Sequence, residues 1–200
     1  SSPILPLDLL AIRAFILSVS ASVCVFTAQA VGFVVLPFFL FNTAGFSALK
    51  MALVLSSWPL ATAVLAPIIG RLSDRLPAGP MGALGLLVLA LGFVLVAQLN
   101  ADATAMEFAL RFVVCGIGFA FFQTPNNRLI MLSAPKERSG AASASLSLAR
   151  QFGRAIGTAV AAAILAAGDN ELTLDAMYIS AGLAIVGMVL ILVRVPVRQA

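Results

Sequence analysis

Residues 140–167, GAASASLSLARQFGRAIGTAVAAAILAA, read as one helix of small and aliphatic residues that carries Arg150 and Arg154 one turn apart. The stretch is decisive because the chain around it reads as membrane. A guanidinium near the middle of a bilayer costs a contested ~3 to ~15 kcal/mol, so it faces a wet cavity or a partner rather than lipid. The pair therefore predicts a helical bundle that encloses water.

Composition supports the membrane reading. Of the 200 residues 62% are hydrophobic and 10% charged, roughly the reverse of what an aqueous surface needs. A chain in lipid must satisfy its own backbone, which long helices do, and the apolar runs have helix length rather than the ~10-residue alternation of a β-barrel. The net charge of +4 falls between apolar spans, so it sets orientation and does not suggest a nucleic-acid partner. Cys24 and Cys115 lie inside apolar spans and read as small buried hydrophobes. The absence of histidine excludes a histidine triad, a histidine metal site and a histidine proton relay. Ser, Asp and Lys are not paired at catalytic spacing, so no catalytic residue, metal or cofactor is expected. The first apolar span is too long for a signal-peptide core. The chain starts at Ser1 rather than Met, which leads us to expect a processed product or a piece of a longer polypeptide.

Six spans are predicted, over 12–41, 48–69, 81–99, 105–132, 140–167 and 177–195. Together they make one bundle over 1–200, with internal repeats at about 12–99 and 105–195. Turn chemistry joins them, as in Asn42-Thr-Ala-Gly45 and Leu76-Pro-Ala-Gly-Pro80. Arg13, Arg71, Arg75, Arg128, Lys136, Arg138, Arg194 and Arg198 fall on one side. Lys50, Asp102, Asp169, Glu171 and Asp175 fall on the other. The positive-inside rule then puts both termini in the cytoplasm.

Polarity sorts the helices. The third and sixth carry almost nothing polar mid-span and are expected to face lipid; the first, fourth and fifth are expected to line the interior. At 100° per residue, Ser18, Ser22 and Gln29 share a face of helix one. Glu107, Arg111, Cys115 and Gly118 share one of helix four, and Ser143, Ser147, Arg150, Arg154 and Gly157 one of helix five. Arg150 lies about 15 Å along its helix, so both arginines can face a vestibule or a neighbouring subunit without meeting lipid.

Two stretches resemble the major facilitator superfamily. Gly70-Arg-Leu-Ser-Asp74-Arg75 resembles that family's Gly-x-x-x-Asp-Arg loop. A longer run resembles the C-terminal half of its fourteen-helix drug–proton antiporters. It comprises Gly116-Ile-Gly118, Gln123-Thr-Pro-Asn-Asn-Arg128, Ala134-Pro-Lys-Glu-Arg138-Ser-Gly140 and Ala149-Arg-Gln-Phe-Gly153-Arg-Ala-Ile-Gly157. The chain departs from the loop pattern after Arg75, where Leu76-Pro-Ala-Gly-Pro80 replaces a Gly and a basic pair.

The resemblance implies an all-α membrane protein, a six-helix half of the transporter fold built from two inverted three-helix repeats. The first and fourth helices line the cavity, the second and fifth meet the other half, and the third and sixth face lipid. It also implies a gating loop of Gly70, Asp74 and Arg75, Gly70 allowing close helix approach, and interface packing by Gly153 and Gly157. Ser18, Ser22, Gln29, Arg111, Gln123, Arg150 and Arg154 become substrate-cavity candidates. Glu107 is the candidate proton-coupling carboxylate, with an i, i+4 ion pair to Arg111 as its alternative role. Phe33, Phe38, Phe39, Phe119, Phe121, Phe122 and Trp58 read as packing or lipid-facing residues that can also offer a solute apolar contact.

Expected function is proton-coupled efflux of drug-like or amphipathic small molecules by alternating access, in the inner (plasma) membrane of a bacterium. The expected partners are the lipid bilayer, a small-molecule substrate, and a second transporter half or a second copy in a parallel homodimer. The competing class is a non-transporting membrane scaffold or regulatory subunit with the same half-transporter fold.

Overall fold

The computed structural model of the chain describes residues 9, 11–135, 138–167 and 170–194, with the backbone alone for 170–173. Among the described residues all regular structure is helical: α1 Arg13–Asn42, α2 Ala48–Ser73, α3 Ala78–Ala97, α4 Ala105–Leu132, α5 Ser139–Ala166 and α6 Asn170–Val193. The expected Lys136, Asp169 and Arg198 charges, and the Glu171 side chain, lie outside this description.

Local chemistry explains the boundaries. Gly45, at φ +65°, turns the chain out of α1, and Ser47 Oγ caps α2 by accepting from Lys50 N at 3.4 Å. Pro77 precedes α3 in extended conformation. Thr104 and Glu107 form a reciprocal capping box at the start of α4. α6 begins at Asn170 rather than 177, since a helix can run on beyond the apolar stretch by which it is read.

Five of the six helices are long and apolar enough to cross a membrane. α5 is not among them, since its serines, Gln151 and two arginines dilute its apolar character.

The helices pack in the order α5, α1, α6, α3, α4, α2, with lighter contact between α1 and α4. α2 and α5 therefore flank the α1–α4 pair, and α3 and α6 close the back. Lipid supplies no hydrophobic drive for helix association, so close backbone approach through small residues has to do that work. At the α3–α4 crossing a Cβ on Gly85 would fall 2.6 Å from Phe122 N, and one on Gly118 2.7 Å from the Gly85 carbonyl. The peripheral helices are held alike. Thr27 of α1 donates to the Gly153 carbonyl at 3.1 Å, and Thr62 of α2 to the Gly116 carbonyl at 3.2 Å. Buried Trp58 gathers Phe33, Phe93, Phe112 and Phe119 within ring-centroid distances of 5.0 to 5.7 Å, tying α1, α2, α3 and α4 together.

Several expectations change. α3 does expose an apolar stripe of Leu84, Leu87 and Leu91, but it is otherwise deeply buried between α4 and α6. A helix without polar residues looks the same whether lipid or protein surrounds it. Gly153 and Gly157 pack inside the bundle, against Val23, Thr27 and Ala30 of α1, rather than across an interface to another half. A Cβ on Gly70 would meet nothing within 4 Å, so Gly70 serves no close approach here. The predicted face of α4 does exist, but it is a packing seam on α3: Cys115 meets Gly92 and Gly118 meets Gly85.

Candidate functional site

The buried seam of α5, through Ala142, Leu146, Ala149, Gly153 and Gly157, lies on α1. A second stripe, Leu148, Phe152 and Ile156, is exposed and apolar, as lipid requires. Between them runs a third stripe of Ser143, Ser147, Gln151, Arg154 and Thr158, exposed and polar.

Arg150 and Arg154 share one platform. Their guanidinium carbons lie 5.5 and 5.2 Å from the centroid of the Phe26 ring of α1. Phe26 is itself buried and meets Phe119 of α4 edge-on at 5.6 Å. Arg150 also donates through Nη2 to Asn127 Oδ1 of α4 at 2.9 Å, while its buried Nε has no acceptor. Arg154 donates through Nη1 to Gln151 Oε1 at 3.3 Å. Beside them a groove of about 340 Å³ is lined by Gln29, Ala30, Phe33 and Val34 of α1 with Arg154 and Thr158 of α5. Phe33 touches Trp58 and Phe112, so the groove lies on the face of α1 turned toward α2 and α4. Gln123 is half-buried, one turn before Asn127 on α4.

Ser18 and Ser22, expected beside Gln29, are fully buried in a polar knot. Asn126 Nδ2 donates to Ser22 Oγ at 2.9 Å and to the Ser18 carbonyl at 3.3 Å. Arg194 Nη1 donates to Ser18 Oγ at 2.7 Å, and burial pushes that guanidinium's pKa down. These serines join α1 to α4 and α6 from fully buried positions.

At the basic end Asp74 Oδ1 pairs with Arg128 Nη1 at 2.8 Å, and Arg128 also donates to the Ser73 carbonyl. The loop carboxylate thus fastens α2 to α4 within this bundle. Arg75 lines a neighbouring cavity of about 490 Å³ with Asp74, Gly79 and Arg194. At the opposite end Arg111 donates to the Leu95 carbonyl near the end of α3 and makes no ion pair with Glu107. Both arginines of α4 thus satisfy carbonyls that a helix end leaves open. Glu107 is exposed, and its Oε2 accepts from Thr104 N at 2.7 Å and Thr104 Oγ1 at 2.9 Å. The carboxylate is used in a helix cap outside the bundle interior, and the expected i, i+4 ion pair with Arg111 is not formed.

Sequence reasoning passed over Asn126, Asn127 and Phe26 as individual residues. The signal for the first two was present, a pair of amides next to Pro125 inside an apolar helix. Nothing in the sequence distinguishes Phe26 from the other phenylalanines.

Membrane-length helices, polar groups turned inward and a packing order that leaves two flanking helices exposed define a polytopic integral membrane protein. The family model described as Major Facilitator Superfamily matches residues 17–200, and the chain belongs to that family. It is 46% identical over 169 residues to "Uncharacterized transporter YebQ" of Escherichia coli K12, covering 84% of this chain and 37% of that protein. It is 31% identical over 136 residues to "Riboflavin transporter RibZ" of Clostridioides difficile 630, covering 68% of this chain and 30% of that one. With "Multidrug resistance protein Stp" of Mycobacterium tuberculosis H37Rv it shares 29% over 167 residues, covering 84% of this chain and 31% of that one. The chain thus spans about a third of the length of these curated relatives.

Proposed function

We propose that this bundle is one half of a transporter that exports drug-like or amphipathic small molecules by alternating access, coupled to protons. The exposed polar stripe of α5 carries the reading: Ser143, Ser147, Gln151, Arg154 and Thr158 would be costly against lipid and need water, solute or a second half across from them. The second half is either another segment of a longer polypeptide or a second copy in a parallel homodimer, seated along α2 and α5. The symmetric packing, with α1 on α5 and α6 just as α4 is on α2 and α3, suits two inverted three-helix repeats. Basic residues at one end suit a bacterial inner membrane with both termini inside. With Glu107 committed to its cap, we assign the proton-carrying carboxylate to the second half.

Dye efflux from cells expressing the whole protein, with and without a proton gradient, tests activity and coupling together. Cysteines placed at exposed Ser56 and Ser147 test the seam, since crosslinks from both to a second half or second copy are expected. Active protein in which neither position crosslinks to anything would refute the arrangement.

A further inference from the structure

Resting on that transporter reading, we propose that the groove between α1 and α5 binds the anionic group of an aromatic solute, with Arg154 as its principal ligand. The charge balance is the first ground. Neither α1 nor α5 contains an Asp or Glu, and among the described residues no carboxylate pairs with Arg150 or Arg154. Two positive charges at membrane depth with no counter-ion of their own draw an anion in.

Geometry supplies the second ground. Both guanidinium carbons lie over the Phe26 ring, at 5.5 and 5.2 Å from its centroid. Arg154, which lines the groove, has five N–H donors along the edge of its guanidinium plane and spends one on Gln151. A planar carboxylate or sulfonate takes two parallel N–H bonds from such an edge.

The shape of the groove is the third. Its ~340 Å³ lies at the small end of ligand cavities, fit for the head of a drug-sized molecule. Phe33 and Val34 give an aromatic ring its apolar wall, and Gln29 and Thr158 place polar groups at the rim. A lipophilic cation in the same place would meet like charge.

The test uses everted membrane vesicles carrying the whole protein and three dyes: fluorescein as aromatic anion, ethidium as aromatic cation and N-phenyl-1-naphthylamine as neutral control. Wild type is expected to transport fluorescein. Arg154→Gln should raise its half-saturating concentration about 10- to 100-fold, the effect of losing a charge-assisted hydrogen bond, and leave the neutral dye within about twofold. If Arg154→Gln fails to reach the membrane, Arg154→Lys carries the test, because it keeps the charge and loses the paired planar donors. A rise confined to fluorescein supports the site; an equal change for all dyes, or none, overturns it. Transport of ethidium without fluorescein overturns the anion assignment and leaves the transporter reading standing. Failure to move any of the three overturns both.

Discussion

Arg194 donates to Ser18 Oγ across 2.7 Å, so the residue that follows α6 closes the bundle onto the first turns of α1. Ser18 in turn offers its carbonyl to Asn126 of α4, and all three side chains are buried. Three helices thus converge on one polar knot near the basic end, where neither lipid nor water can substitute for a lost partner.

Removing a member of that knot should therefore cost more than a single exposed hydrogen bond. Asn126→Ala gives up two donors and leaves Ser22 Oγ with one fewer partner. A loss of about 1–2 kcal/mol is expected, read as a lower thermal midpoint in detergent. Ser22→Ala in the Asn126→Ala background should add little, because coupled residues are not additive. Equal stability of Asn126→Ala and wild type would rule the knot out as a structural joint.

Glycine substitutions should separate sharply by position. At Gly118 a Cβ meets the backbone of α3, so even Gly118→Ala pushes two helices apart and is expected to cost about 1–3 kcal/mol. Gly182 has nothing within 4 Å, and Gly182→Ala should be neutral or slightly stabilising. Folded yield after membrane extraction reads both. Tolerance of alanine at Gly118 would mean that α3 and α4 do not cross as described.

Glu107→Gln should leave the pH dependence of transport unchanged. Gln also completes a capping box, so the substitution keeps the cap and removes only the charge. Thr104→Ala removes the hydroxyl that both caps α4 and donates to Glu107, and should lower the thermal midpoint modestly. A displaced pH profile in Glu107→Gln would return this carboxylate to the coupling step.

Asp74→Asn breaks the Arg128 pair, whose side chains are 66% and 41% exposed. An ion pair that open is worth about 0–1 kcal/mol, so stability should hardly move. The gating role that the family resemblance implies for Asp74 predicts a change in conformational balance instead. Labelling of a cysteine at exposed Ser147 should change in rate in Asp74→Asn and return in the charge-exchanged Asp74→Arg, Arg128→Asp pair. No change in either variant removes Asp74 from gating.

Much of this architecture is legible from residue order, and the reason is local. A backbone in lipid must bond to itself, so runs such as 105–132 already declare a helix, and α4 ends where expected. Helical geometry likewise settles which residues share a face, and the Glu107, Arg111, Cys115 and Gly118 face of α4 exists as predicted. What that face touches is a matter of neighbours. Cys115 and Gly118 meet α3, Arg111 reaches the end of α3, and Glu107 turns back to its own cap.

The same division holds for the arginine pair of α5. Its expense in a membrane follows from residue type and position in the chain, and so does the need for something polar across from it. That both guanidiniums settle on one ring of α1, that Arg150 reaches Asn127, and that Gly153 and Gly157 bring α5 so close to α1 depend on residues more than a hundred positions apart in the chain or on a different helix. Such contacts come from how helices of similar composition choose among one another, a choice made by the fit of small residues and the satisfaction of buried polar groups, which periodicity along one helix does not encode.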